Sequence, residues 1–295
     1  MAMKIAISSY SFLGFGGGPD GSDLPSAHQM IDHCVDFGVD GIEFLNEHLT
    51  KSGITTPEKL AELHQYAAMR GIRPVTLAAS NNPLRTTPQE RADDLMQLIE
   101  HIDWAVQLGA PFVRVLGGRW NTITDFGELT ANRGEEPPVE GFTAEQGFEW
   151  IVTSLRYAAE YAGMKGVTLV LENHWGPTGT AAGVKKIHDA INSPWLKYVL
   201  DTGNFFHLED QYAEMEVLMD DLAILHAKVY LGGSRYNVPD VDYGRVSELL
   251  SRINYSGYVS IEFEGKAHPR EGIADGVEQM RKHFVVAPER ALSRA

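Results

Sequence analysis

A single cysteine, Cys34, stands in the whole chain. A disulfide within the chain is therefore excluded, and a thiolate metal site would have too few ligands. Cys34 falls in the apolar-periodic stretch Met30–Phe37 and reads as a small buried hydrophobe. Basic residues are also scarce: 25 Lys and Arg stand against 40 Asp and Glu, a formal net charge of −15. Such a surface repels phosphate backbones and anionic lipid, so neither nucleic acid nor a membrane is an expected partner. No apolar run approaches the ~20 residues that a membrane span needs. The N-terminus, MAMKIAISSYSF, lacks the basic start, long apolar stretch and cleavage site of a secretory signal. It reads as a first strand, and the protein as cytoplasmic. The glycine-rich stretch GFGGGPDG lacks the Gly-Lys-Ser/Thr of a phosphate loop, so it is read as a flexible loop and not as a nucleotide site.

What is present is a regular alternation. Short apolar runs rich in branched residues recur, each followed by a helical pattern. The expected strands are Lys4–Ser9, Gly41–Leu45, Pro74–Ala78, Phe112–Leu116, Thr168–Glu172, Tyr198–Asp201, Ile224–Tyr230 and Tyr258–Phe263. The helices expected after them are Ala27–Phe37, Pro57–Met69, Pro88–Gln107, Ala144–Ala162, Ala182–Ile191, Asp210–Met219, Tyr243–Ile253 and Ile273–Val285. Gly38, Gly71, Gly109 and Gly166 each stand between a helix and the next strand, where glycine adopts the left-handed conformation that stops a helix. Eight strand–helix units without a composition break predict one domain over residues 1–295, a single (β/α)8 TIM barrel. Two connections are long: Leu13–Leu24, and Gly117–Phe142, which carries Arg119, Trp120 and Pro137-Pro138. Long loops at the active face of a barrel serve as lids or specificity elements.

In such barrels, polar side chains at the C-terminal ends of strands build the site. Strand five ends in Glu172-Asn173-His174, strand six in Asp201-Thr202-Gly203-Asn204, and strand seven carries His226 and Lys228. Strand eight ends in Glu262-Phe263-Glu264. Four consecutive strands thus contribute a carboxylate, a carboxylate, an imidazole and a carboxylate. Each acid follows apolar neighbours, and clustered buried carboxylates repel one another unless a cation sits among them. Oxygen-rich ligands with one imidazole suit Mn²⁺ first, with Mg²⁺ and Co²⁺ as alternatives, rather than a structural zinc.

The segments VTLVLENHWG, YVLDTGNFF, ILHAKVY, VDYGRV and GYVSIEFEG resemble the xylose-isomerase-like barrel superfamily, which includes sugar phosphate isomerases and epimerases, ketose 3-epimerases, hydroxypyruvate isomerases and inosose dehydratases. The resemblance covers nearly the whole chain and is densest from Val167 to Gly265. It implies that Glu172, Asp201, His226 and Glu262 bind one divalent metal. The gaps between them, 29, 25 and 36 residues, are each about one barrel unit. Glu264 shares a strand face with Glu262 and leaves the last ligand open, the family pattern favouring Glu262. By the same resemblance Glu172 and Glu262 are the catalytic pair. One removes a proton next to a carbonyl and the other returns one, through a metal-bound enediolate.

His174, Lys228, Arg235, Glu43 and Trp120 are candidate substrate contacts, and Asp242 reads as the N-cap of the helix at Tyr243. The expected partner is a small sugar or sugar derivative, and the kinship admits a homo-oligomer. Leu231-Gly232-Gly233-Ser234-Arg235 is the one faint phosphate cradle, and the acidic net charge favours a substrate without phosphate. The superfamily also holds endonucleases of abasic sites. The net charge and the lack of a further histidine set on the early strands speak against that activity. Two functions remain. One is an isomerase or epimerase of a keto sugar or polyol. The other is a lyase or hydratase on a keto-inositol or 3-keto-glycoside, which shares the proton abstraction but expels a leaving group. A non-catalytic sugar-binding barrel would have no use for the four ligands.

Overall fold

A computed structural model describes residues 2–16 and 23–284. Part of the expected Leu13–Leu24 loop (residues 17–22), and Val285 at the end of the last expected helix, lie outside the described residues. Eight parallel strands close in a barrel in the order β1 to β8, with helices between them. The strands are β1 (Lys4–Ser8), β2 (Gly41–Leu45), β3 (Arg73–Ala78), β4 (Phe112–Val115), β5 (Thr168–Glu172), β6 (Leu196–Asp201), β7 (Leu222–Val229) and β8 (Tyr258–Phe263). Most strand residues are buried, which is why these segments read as near-continuous apolar runs rather than alternating ones.

The helices are α1 (Ala27–Asp36), α2 (Asn46–Lys51), α3 (Pro57–Met69), α4 (Pro88–Leu108), α5 (Phe126–Ala131), α6 (Ala144–Lys165), α7 (Ala181–Ile191), α8 (Gln211–Val217), α9 (Tyr243–Arg252) and α10 (Pro269–His283). Their starts are chemically marked. Ser26, Thr87 and Thr143 form capping boxes with Gln29, Glu90 and Gln146, each satisfying two otherwise unpaired backbone donors. Gly109 and Gly166 end α4 and α6 in the left-handed region, at φ 66° and 74°. Asp242 caps α9, accepting from the backbone N–H of Gly244 and Arg245. Among the described residues no helix is long and apolar enough to cross a membrane, and Cys34 is fully buried.

The structure departs from the sequence expectation at element edges. The short helices α2 and α5 occupy stretches expected to be loop. At six residues each, they are too short to show a helical period. The last helix starts at Pro269, four residues early, because His268 caps it and proline fits the first helical position.

The described residues form two compact units, one of those up to residue 75 together with those from 225 on, the other of residues 76–224. In the first, β1 lies between β2 and β8, with Ser8 opposite Glu43 and Ile7 opposite Ile261. A 3-10 turn after β1 ties the ends of these strands together. Ser9 Oγ accepts from the Leu45 N–H, and Ser11 Oγ donates to the Ile261 carbonyl while accepting from the Phe263 N–H. In the second unit β3, β4, β5 and β6 pair in sequence, with Ala78 opposite Arg114 and Glu172 opposite Val199.

Candidate metal and active site

In the first unit, Glu43 on β2, His226 on β7 and Glu262 on β8 are all buried, at 0%, 0% and 6% exposure. Each offers a ligand atom within 4.8 Å of the others. The Glu43 Oε2–His226 Nε2 distance is 2.9 Å. On the other side of the ring, His226 Nδ1 lies 3.6 Å from Glu262 Oε1, beyond hydrogen-bond reach. The imidazole thus stands between two carboxylates with distinct contacts. Glu43 takes one ring nitrogen at hydrogen-bond distance, leaving the other to face Glu262. Glu43 Oε1 is buried without a hydrogen-bond partner, an arrangement that a bound cation nearby would favour.

Lys228, two residues beyond His226 on the same strand, sends its ammonium between two acids. Nζ is 2.8 Å from Glu262 Oε2 and 2.7 Å from Glu264 Oε1. It also lies 5.3 Å from the centre of the Tyr10 ring. Burial and then the Glu264 charge push the Tyr10 phenol well above its ordinary range, only partly offset by Lys228. The backbone of Lys228 is held as well, since Tyr243 Oη donates to its carbonyl at 2.6 Å. Of the two strand-eight acids that the sequence left open, Glu262 is the one grouped with Glu43 and His226.

In the second unit, Glu172 and Asp201 end the neighbouring strands β5 and β6. They are 4% and 0% exposed and offer carboxylate oxygens within 4.8 Å of each other. Asn173 locks the two strand ends together. Its Nδ2 donates to the Asp201 carbonyl and its Oδ1 accepts from the Asp201 N–H. Asp201 Oδ1 accepts from the Gly203 N–H at 2.7 Å. Asn204 Nδ2 donates to Glu172 Oε1 at 3.2 Å and to the Asn173 carbonyl at 2.9 Å. Arg114 on β4 brings Nε to 3.2 Å from Glu172 Oε2. That is ion-pair distance, but the N–H is not aligned for a hydrogen bond.

The remaining candidates spread out. His174 lies just beyond β5, half-buried, its backbone N–H bonded to the Thr178 carbonyl. Trp120 is buried edge-on to Trp150, ring centres 5.8 Å apart. Arg235 is exposed, and its Nε donates to the Gly265 carbonyl. Arg114 was missed in the sequence. Its signal was an arginine inside the otherwise apolar strand Phe-Val-Arg-Val.

The profile of the xylose isomerase-like TIM barrel family matches residues 31–283. The chain belongs to this family. Within its wider kinship, the chain is 22% identical over 257 residues to the 2-oxo-tetronate isomerase of Pectobacterium atrosepticum, covering 81% of this chain and 87% of that protein. The 3-keto-D-glucoside 4-epimerase of E. coli superposes with a TM-score of 0.71 at 17% identity, over 95% of this chain and 99% of that one. The D-psicose 3-epimerase of Clostridium cellulolyticum, crystallised with D-tagatose, gives 0.72 at 16% identity, over 97% and 100%. At these identities the two structures share the family barrel with this chain.

Proposed function

We propose that this chain is an isomerase or epimerase of a keto sugar, with Glu172, Asp201, His226 and Glu262 as ligands of one divalent ion. The observation that carries this reading is the pairing of buried groups at strand ends. Glu172 stands with Asp201 on β5 and β6, and His226 with Glu262 on β7 and β8. Buried carboxylates this close repel unless a cation compensates them. The donor set of three carboxylates and one imidazole fits Mn²⁺, with Mg²⁺ or Co²⁺ as substitutes. Relatives named for isomerising 2-oxo-tetronate and epimerising 3-keto-D-glucoside and D-psicose support a keto-sugar substrate.

When bound, the ion supplies a Lewis acid that polarises the substrate carbonyl. The chain's own groups do the rest. Glu172 takes the proton from the carbon beside the carbonyl, and Glu262 returns one to the planar enediolate so formed. Asn204 and Arg114 orient the Glu172 carboxylate, and Lys228 holds Glu262 through Oε2. In this reading Lys228 also donates to a substrate oxygen. Glu43 orients the His226 ring.

A panel of keto sugars, assayed after chelation and after addition of Mn²⁺, Mg²⁺ or Co²⁺, tests the reading. The expected result is metal-dependent turnover with product mass unchanged. Turnover indifferent to metal would overturn the metal reading, and product lighter by water would overturn the isomerase reading.

A further inference from the structure

The connections that follow β3, β4, β5 and β6 enclose a cleft of about 520 Å³, within the size range of small-molecule sites. In this fold those connections lie on the face where active sites form. The cleft's apolar floor includes Leu84, Trp120 and Phe148, and its rim carries Arg133, Lys186 and His207.

The walls are tied to one another. Asn82 Nδ2 donates to the Arg119 carbonyl and its Oδ1 accepts from the Arg119 N–H, joining the connections after β3 and β4. The Gly176 N–H donates to the Gly134 carbonyl at 2.8 Å, joining those after β4 and β5. Glu136 clamps the long connection from within, accepting from Arg119 Nε and Nη2 and from the N–H groups of Asn121 and Ile123. A cleft so braced exists before any ligand arrives, which spares the cost of ordering loops on binding.

Two of its lining residues stand close in the chain to the Glu172 site. Asn204, which donates to Glu172 Oε1, is three residues from His207 on the rim. Gly176, also lining the cleft, is four residues from Glu172 itself.

The lining indicates what would fit. Glu136 is paired with Arg119, and the exposed Arg133 and Lys186 have Glu135 in the lining and Glu145 within the reach of the Lys186 charge, so the cleft makes no demand for a charged group. Lys186 is further engaged with the Phe148 ring, 4.4 Å from its centre. His207 Nδ1 is buried without a hydrogen-bond partner. Burial, followed by the charge of Arg133, holds its imidazole below the ordinary range, so at neutral pH it offers an uncharged donor or acceptor.

We propose that this cleft is the subsite for the uncharged aglycone of a keto-glycoside, whose keto ring reacts at Glu172. The inference deepens the isomerase reading and rests on it for the position of the reacting ring.

The test uses Ala144→Trp, which fills the cleft from an exposed position at the start of α6. Binding of phenyl β-D-glucopyranoside, which carries an aglycone but no keto group, is measured by calorimetry on wild type and variant. In parallel, kcat/KM is compared for phenyl 3-keto-β-D-glucoside and free 3-keto-D-glucose. The expected result is that the variant loses affinity for the phenyl glycoside by about tenfold or more. Its preference for the keto-glycoside over the free keto sugar should fall by a similar factor. Equal binding to both proteins, or none to the wild type, overturns the subsite. If neither keto compound is turned over while the phenyl glycoside binds only the wild type, the isomerase reading falls and the subsite stands.

Discussion

Replacing Glu43 by leucine tests how the proposed metal site is built. The side chain is fully buried, and its Oε2 lies 2.9 Å from His226 Nε2. Leucine fills a similar volume but accepts no hydrogen bond. The imidazole N–H then stays buried without its acceptor, at a cost of about 1–3 kcal/mol to the metal-free protein. Removing a buried carboxylate, whose Oε1 is itself unbonded, offsets part of that cost. The effect on metal is separate, because the ring loses the contact that fixes which nitrogen is protonated and where the other points. Losing such an outer partner weakens metal binding by roughly 10–100-fold, or ~1.4–2.7 kcal/mol. Glu43→Gln retains a carbonyl oxygen as acceptor and should recover most of the loss. Mn²⁺ titration of chelated protein, followed by electron paramagnetic resonance, reads the affinity, and thermal melts of the metal-free forms separate folding from binding. Glu43→Leu within twofold of wild type would refute the positioning role. A wild type that binds no Mn²⁺ would refute the metal site itself.

Two further expectations concern other residues. Glu172→Gln and Glu262→Gln keep shape and hydrogen bonding but remove the proton acceptor or donor, so kcat for the keto sugar should fall to background. Near-wild-type turnover by either variant would remove that residue from the proton transfers. Burial alone would raise the Glu136 carboxyl, but Arg119 and the surrounding backbone N–H groups hold it below the ordinary range. The stability it adds is therefore complete above the usual carboxylate range and is lost as pH falls through the lowered value. The urea midpoint of the wild type should exceed that of Glu136→Gln at neutral pH, with the difference shrinking on acidification. A difference that grows in acid would contradict the assigned cause.

The sequence alone determined a good deal. Eight apolar runs alternating with helical periods specify the barrel, because a parallel strand buried on both faces must be apolar and a helix covering it must be amphipathic. Glycine at the ends of α4 and α6, and Asp242 at the start of α9, carry local backbone chemistry that needs no distant partner. The acids and imidazole of β5 to β8 stood out only as a joint pattern on four successive strands, and it was the family resemblance that implied a ligand set.

Tertiary structure alone decided which of these groups meet. Glu43 and His226 are 183 residues apart, and Lys228 reaches Glu264 as well as Glu262 because β7 and β8 bring three long side chains together. Arg114 was visible as a charge inside a strand, but only the β4–β5 register sets it beside Glu172. The cleft behind Trp120 draws on four separate connections. Local periodicity carries no information about such meetings, because they depend on through-space distance and burial, which only the closed chain fixes.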